Sequence, residues 1–252
     1  MLGYDDVQSV SFFGTPLPGL WSRAYDSVPD AMAAAYAERA EMARKSAAWD
    51  RNLTTDLVRA GGAKYAALGG LAFRQGLAAT KLVWVGDRNT TWAFLKEISS
   101  DGDMSTVDVI FPTSPLLLYT DPMLLRMLLA PVLAYANNET ATRFSYPFSP
   151  HQLGQYPIAD SRTEDQEVMP LENSGNMLLM LLAVVQRDPG HDTAFFSPRY
   201  WPMLTSWADV MSKTVSRSSS ACAPRGWAVA GHPHPFKCPY LNIYLRRTGG
   251  GP

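Results

Sequence analysis

"MPLENSGNMLLMLLAVVQR", residues 169–187, decides how the chain is read. Nine consecutive apolar residues, Met177 to Val185, follow an acid, two amides and a glycine. A run apolar on all sides is too hydrophobic for a surface helix and predicts one buried among other helices. It falls far short of the roughly 18 residues that a membrane span needs, so no transmembrane helix is expected. The polar residues at its mouth have two readings. Asn173 and Ser174 are good N-caps. Glu172 has both readings, since a carboxylate at a helix start can accept orphan N–H bonds or, held ionised by the positive end of the dipole, serve as a general base. For Asn176, one turn in, the capping reading is weaker.

Outward from this helix, the chain reads as helices in antiparallel pairs joined by alternating short and very long links. Residues 26–60 are rich in helix formers. Gly61 and Gly62 interrupt them before a second helical stretch from Ala63, which predicts an αα-hairpin. "LVWVGDRNTTWAFLKEI" places two β-prone runs around a turn and predicts a β-hairpin. "DPMLLRMLLAPVLAYANN" predicts a third helix, with Pro131 set to kink or end it. Residues 143–173 have little periodicity, and so long a connection inside a compact domain is usually functional. A last helix starts at "RYWPMLTSWADVM", with Trp201, Leu204, Trp207 and Met211 spaced as one buried face. An all-α toroid of helical hairpins carrying a small β-hairpin insertion accounts for this order. No internal repeat is visible.

At 46% hydrophobic and 18% charged residues, the 252-residue chain is globular in type. The net charge of −1 hides an asymmetry. Residues 212–252 hold six Lys or Arg and no Asp or Glu, leaving the body at net −7. An acidic body argues against nucleic acid as the main partner, since phosphate contacts need clustered cations. The start, "MLGYDDVQSV", lacks the basic and apolar segments of a signal peptide. Both cysteines lie in the basic stretch. Cys222, His232, His234 and Cys238 offer four metal ligands there, but their spacing matches none of the tight pairs of zinc sites. A disordered tail and a mistranslated end are the other readings of residues 212–252. Sequons at Asn52, Asn89 and Asn138 offer sites for N-glycans.

No P-loop, dinucleotide fingerprint or nucleophile elbow is present. The leads are polar residues in apolar settings. Lys96, Glu97, Asp101, Asp103 and Asp108 lie within thirteen residues. Asp108 stands between Val107 and Val109, and a buried carboxylate needs a partner or a task. His151 lies on the long loop, where Tyr156, Pro157 and Asp160 suggest an ordered wall. His191 is the other histidine of the body.

Three stretches, "LKEISSDGDMSTVDVIFPTSPLLLYTDP", "SPHQLGQYPIAD" and "MPLENSGNMLLM", together resemble the six-helical-hairpin domain of the secreted glutaminase A family of fungi. The lead-in "MLGYDDVQSVSFFGT" and the segment from "YDSVPDAM" to "AATKLV" fit as well. The resemblance runs from about residue 1 to residue 211. It implies an (α/α)6 toroid, hydrolysis of L-glutamine to glutamate and ammonia, no metal or organic cofactor, and an extracellular protein. It also implies that residues 1–25 lead in from a β-rich region, that 26–211 form an incomplete hairpin domain, and that 212–252 stand where the family continues with an acidic segment. The family pattern "MPxEESGNM" reads "MPLENSGNM" here, so Asn173 replaces an acid.

Three functions follow. The first is an amidohydrolase with Asp108 and Glu172 as acid and base. Lys96, Glu97, His151, Asp160 and Asn176 would hold the substrate. The second is a glycosidase-like or carbohydrate-binding toroid, since two carboxylates across a cleft also serve glycoside hydrolysis. The third is a non-catalytic fragment. The oligomeric state is left open.

Overall fold

The computed structural model describes residues 9–97, 102–190 and 192–221, with side chains through Val215. Asp101, His191 and the Cys/His group of the tail lie outside the described residues. What is described is mostly helical, with two small sheets.

Helix α1, Val28–Ala79, starts from a Ser27 cap that accepts the Asp30 N–H, with Pro29 in its first turn. It is two limbs, not one rod. Gly62 has φ 80 and ψ −177, a conformation that side chains with a Cβ rarely reach. Trp49 and Phe73 then meet with ring centroids 5.8 Å apart. In a straight helix those 24 residues would separate them by roughly 36 Å. The expected αα-hairpin is therefore present, folded at Gly62.

Strands β1 (Val10–Phe12) and β2 (Thr15–Leu17) pair antiparallel. Strands β3 (Thr80–Val85) and β4 (Thr90–Leu95) form the expected hairpin, with Val85 opposite Thr90. Asn89 turns it in the left-handed conformation that asparagine tolerates. Strand β5 (Ile158–Ala159), far along the chain, pairs parallel with β1. The pairing with β5 is not foreshadowed by the sequence pattern. The three-stranded sheet seats Phe13 against Tyr135, ring on ring at 4.5 Å.

Helix α2 (Val107–Thr120) likewise goes beyond the expected elements. It carries Pro112 and Pro115 inside, yet continues, with the Thr113 and Ser114 hydroxyls bonding the carbonyls of Val109 and Phe111. Helix α3 (Pro122–Ala136) begins at an Asp121 cap and runs through Pro131 without ending there. Nine of its fifteen residues are buried. Helix α4 (Pro170–Arg187) and helix α5 (Trp201–Ala221) complete the set. Helix α5 continues past the change in composition at Ser212.

Helices α2, α3 and α4 pack on one another, β4 covers α3, and α5 lies on α4. Two sequence expectations need correction. Helix α4 is not buried on every side. Its buried stripe is Pro170, Asn173, Ser174, Met177, Met180, Leu181 and Val184, while Leu179 and Leu182 are more than half exposed. Its described neighbours cover only part of its circumference. On α5, Leu204 and Trp207 are buried, but Trp201 sits at the first residue and is largely exposed.

Candidate active site

The starts of α2 and α4 come together at one loop. The loop 149–152 joins them. The Val107 N–H donates to His151 O at 2.8 Å, and the Ser149 N–H donates to the Ser174 hydroxyl at 3.1 Å. The positive dipole ends of the two helices thus both lie beside this loop. Asp108 is the second residue of α2 and Glu172 the third of α4.

The loop from Phe148 to Gly154 is buried throughout, which is costly for backbone unless every polar group finds a partner. Gln166 supplies many of the partners. Its side-chain oxygen accepts the His151 N–H at 2.7 Å and the Gln152 N–H at 3.2 Å. Its amide nitrogen donates to Gln152 O at 2.9 Å and to the Ser161 hydroxyl at 2.8 Å. Tyr135 donates its hydroxyl to Ser161 O at 2.7 Å, and burial holds that phenol well above the usual tyrosine range. Gly154 closes the wall at φ +126, where an added Cβ would lie 2.6 Å from Ile158 O.

This framework sets the protons on His151. The Gln152 side-chain nitrogen donates to Asp165 O at 3.1 Å, so its oxygen faces His151 Nδ1 at 2.9 Å. Nδ1 must therefore carry the hydrogen. The other ring nitrogen, Nε2, faces Asp108 Oδ1 at 3.5 Å and Glu167 Oε2 at 4.0 Å. Asp108 Oδ1 is sealed from solvent and, among the described residues, has no hydrogen-bond partner. One proton between Nε2 and Oδ1 would satisfy both atoms. The Asp108 side chain is still 28% exposed, and its only other polar atom is Oδ2. The geometry is that of a carboxylate open to a reactant on one oxygen and backed by an imidazole on the other.

Beside this pair lies an acidic cleft of about 630 Å³, lined by Asp103, Asp160, Asp165, Glu167, Gln152 and Tyr156 among others. Arg162 beside Asp165 holds that carboxyl below the usual range.

The residues singled out in the sequence are distributed as follows. Asp108 and His151 are brought together. Asp160 lines the acidic cleft with Tyr156. Lys96 lies over the Tyr156 ring, 5.2 Å from its centroid. Glu97 accepts the Thr106 hydroxyl at 2.9 Å, at the residue before α2. Glu172 is exposed, and among the described residues it neither bonds to Asp108 nor caps α4. Asn176 is half-buried in the second turn of α4. Asn173 and Ser174 are not N-caps. Pro170 starts the helix earlier, and the Asn173 N–H already donates to Met169 O. Asn173 is instead fully buried, with both amide atoms unpartnered among the described residues. Gln152, Gln166 and Glu167 were not foreseen, since no motif or periodicity marks them within residues 143–173. The sequon residues Asn52, Asn89 and Asn138 are all exposed. Among the described residues, no helix is long and apolar enough to cross a membrane.

Comparison with known proteins supplies the family. Residues 62–222 match the family described as the glutaminase A six helical-hairpin domain. Residues 1–56 match a domain of unknown function, DUF5127. The junction of the two matches falls at the turn of the α1 hairpin. The chain is 32% identical over 213 residues to a protein named glutaminase A from Aspergillus oryzae, covering 82% of this chain and 30% of that protein. It is 40% identical over 117 residues to a protein named probable glutaminase from Arthroderma benhamiae, covering 46% of this chain and 13% of that protein. The chain thus spans less than a third of the length of these relatives. No solved structure matches. The chain belongs to the glutaminase A six helical-hairpin family.

Proposed function

We propose that this chain carries the Asp108–His151 centre of a glutaminase-type amidohydrolase, releasing ammonia from L-glutamine. The observation that carries the reading is the sealed Asp108 Oδ1 facing His151 Nε2, with Nδ1–H fixed by Gln152. Asp108, through Oδ2, takes a proton from water as the water oxygen bonds to the carboxamide carbon. The His151–Asp108 pair returns a proton to the departing nitrogen as the C–N bond breaks. General acid–base assistance of this kind contributes about 10²–10⁴-fold. The positive ends of α2 and α4 favour the negative charge that develops on the carbonyl oxygen. The acidic cleft supplies carboxylates, Asp160 among them, for the substrate's ammonium group, and exposed Glu172 stands as a second carboxylate at the start of α4.

Read as part of an (α/α)6 toroid, helices α2 and α4, whose starts share the loop 149–152, would take inner positions, and α3 and α5 outer ones. The resemblance to a secreted family implies export, and the exposed sequon residues Asn52, Asn89 and Asn138 would be its glycan sites.

The test is ammonia release from L-glutamine by the 252-residue chain and by Asp108→Asn. Glutamine-dependent ammonia that falls at least a hundredfold in the variant supports the reading. Absence of any such activity in the wild-type chain overturns it for this chain. A second reading, a glycoside-processing cleft, draws on the several carboxylates and Tyr156 around the acidic cavity. Hydrolysis of aryl glycosides without ammonia release from glutamine would favour it.

A further inference from the structure

A second cleft, of about 580 Å³, has the opposite chemistry. It is built from α3, the start of β4 and the segment before α5. Arg88, Arg126 and Arg199 line it, and among the described residues no carboxylate does. Its apolar surface comes from Trp92, Met127 and Phe195.

The arginines are held in place before any ligand arrives. Arg88 lies over the Trp92 ring, 5.0 Å from its centroid, and Arg126 lies over Phe195 at 4.7 Å. Glu139, only 11% exposed, receives Arg88 at 2.9 Å and Arg199 through two nitrogens. Burial alone would raise the Glu139 carboxyl, but the bonds from Asn137, Arg88 and Arg199 outweigh it and hold Glu139 below the usual range. Arg126 bonds Asp192 through one nitrogen at 3.4 Å.

A guanidinium has five N–H donors. Among the described residues, Arg88 and Arg126 each donate one. With Glu139 and Asp192 counted, the group keeps one net positive charge, set in a body of net charge −7. Planar donor pairs over aromatic faces match carboxylates, and the apolar floor matches a hydrocarbon or ring attached to one.

We propose that this cleft binds an organic anion bearing a carboxylate beside an apolar body, at a site separate from the Asp108–His151 centre. Calorimetric titration of the full 252-residue chain with benzoate, and separately with inorganic phosphate, tests it. Saturable benzoate binding is expected, weakened at least tenfold in Arg126→Ala. Arg126→Lys keeps the charge and the Asp192 partner but loses the planar fork, and is expected to weaken binding several-fold even if the alanine variant fails to fold. Asp108→Asn leaves benzoate binding unchanged, so failure of the hydrolase reading does not register here. Unsaturable benzoate binding, or equal affinity in wild type and Arg126→Lys, overturns the proposal. Saturable phosphate binding without benzoate binding overturns the carboxylate-plus-apolar assignment.

Discussion

The acidic and basic clefts are close in volume, about 630 and 580 Å³, yet they are made in different ways. The acidic cleft is walled by a loop whose shape depends on side-chain amides. Gln166 and Gln152 tie together backbone that no helix or sheet satisfies. The basic cleft is framed by α3 and β4, with Arg88 from the β3–β4 turn and Arg199 from the segment before α5, and its charges are aimed by stacking on rings and by one shared acid. The difference teaches that polarity tied down by side-chain amides is hydrogen-bond limited, while polarity aimed by ring stacking and a shared acid is electrostatically limited. The first should fail when backbone geometry changes, the second when charge changes.

The largest effect expected is on chemistry. Asp108→Asn removes the carboxylate that faces His151 Nε2, and ammonia release should fall by about 10²-fold or more with a urea midpoint close to wild type. An equal loss from Arg126→Lys would break the separation of the two clefts. Next comes Gly154→Ala. Its Cβ would strike Ile158 O, and φ +126 strains any side chain, so a destabilisation of about 3 kcal/mol in urea unfolding is expected. A near-neutral result would mean that the acidic wall is looser than its hydrogen bonds imply.

Glu139→Gln should cost about 2 kcal/mol at neutral pH, because two guanidinium groups lose their common anion. Glu139 titrates lower in the folded chain than in the unfolded one. Its contribution is therefore complete above the unfolded value, about pH 4.3, and is lost as acidification passes the folded one. The gap between wild type and variant in urea midpoints should narrow from pH 7 to pH 3. A constant gap would assign the loss to packing instead of charge. The smallest effect, and of opposite sign, is Asn173→Leu. Replacing a buried amide without partners among the described residues by an apolar side chain of similar size should raise stability by about 1 kcal/mol. A loss would reveal that the amide has a partner, such as a buried water.

Much of the helical order was legible before the fold. The Gly61–Gly62 break, the β-hairpin around "GDRN" and the α3 and α4 helices follow from local rules of propensity and turn chemistry, and the structure agrees. Helix α2 escaped because Pro112 and Pro115 disguise it, and its hydroxyl-to-carbonyl bonds appear only once the turns exist. Asp108 and His151 were each visible as a polar residue in an unusual setting. Their meeting was not, because 43 positions of chain separate them and no local rule brings them together.

By itself, the sequence determined periodicity, helix breaks and charge balance, because these depend on neighbours within a few residues. It also carried the family resemblance. The tertiary structure alone decided which face of α4 is covered, which nitrogen of His151 bears the hydrogen and which arginines share Glu139. Burial and hydrogen bonding are set by groups distant in the chain, and their energies exist only after the helices have packed.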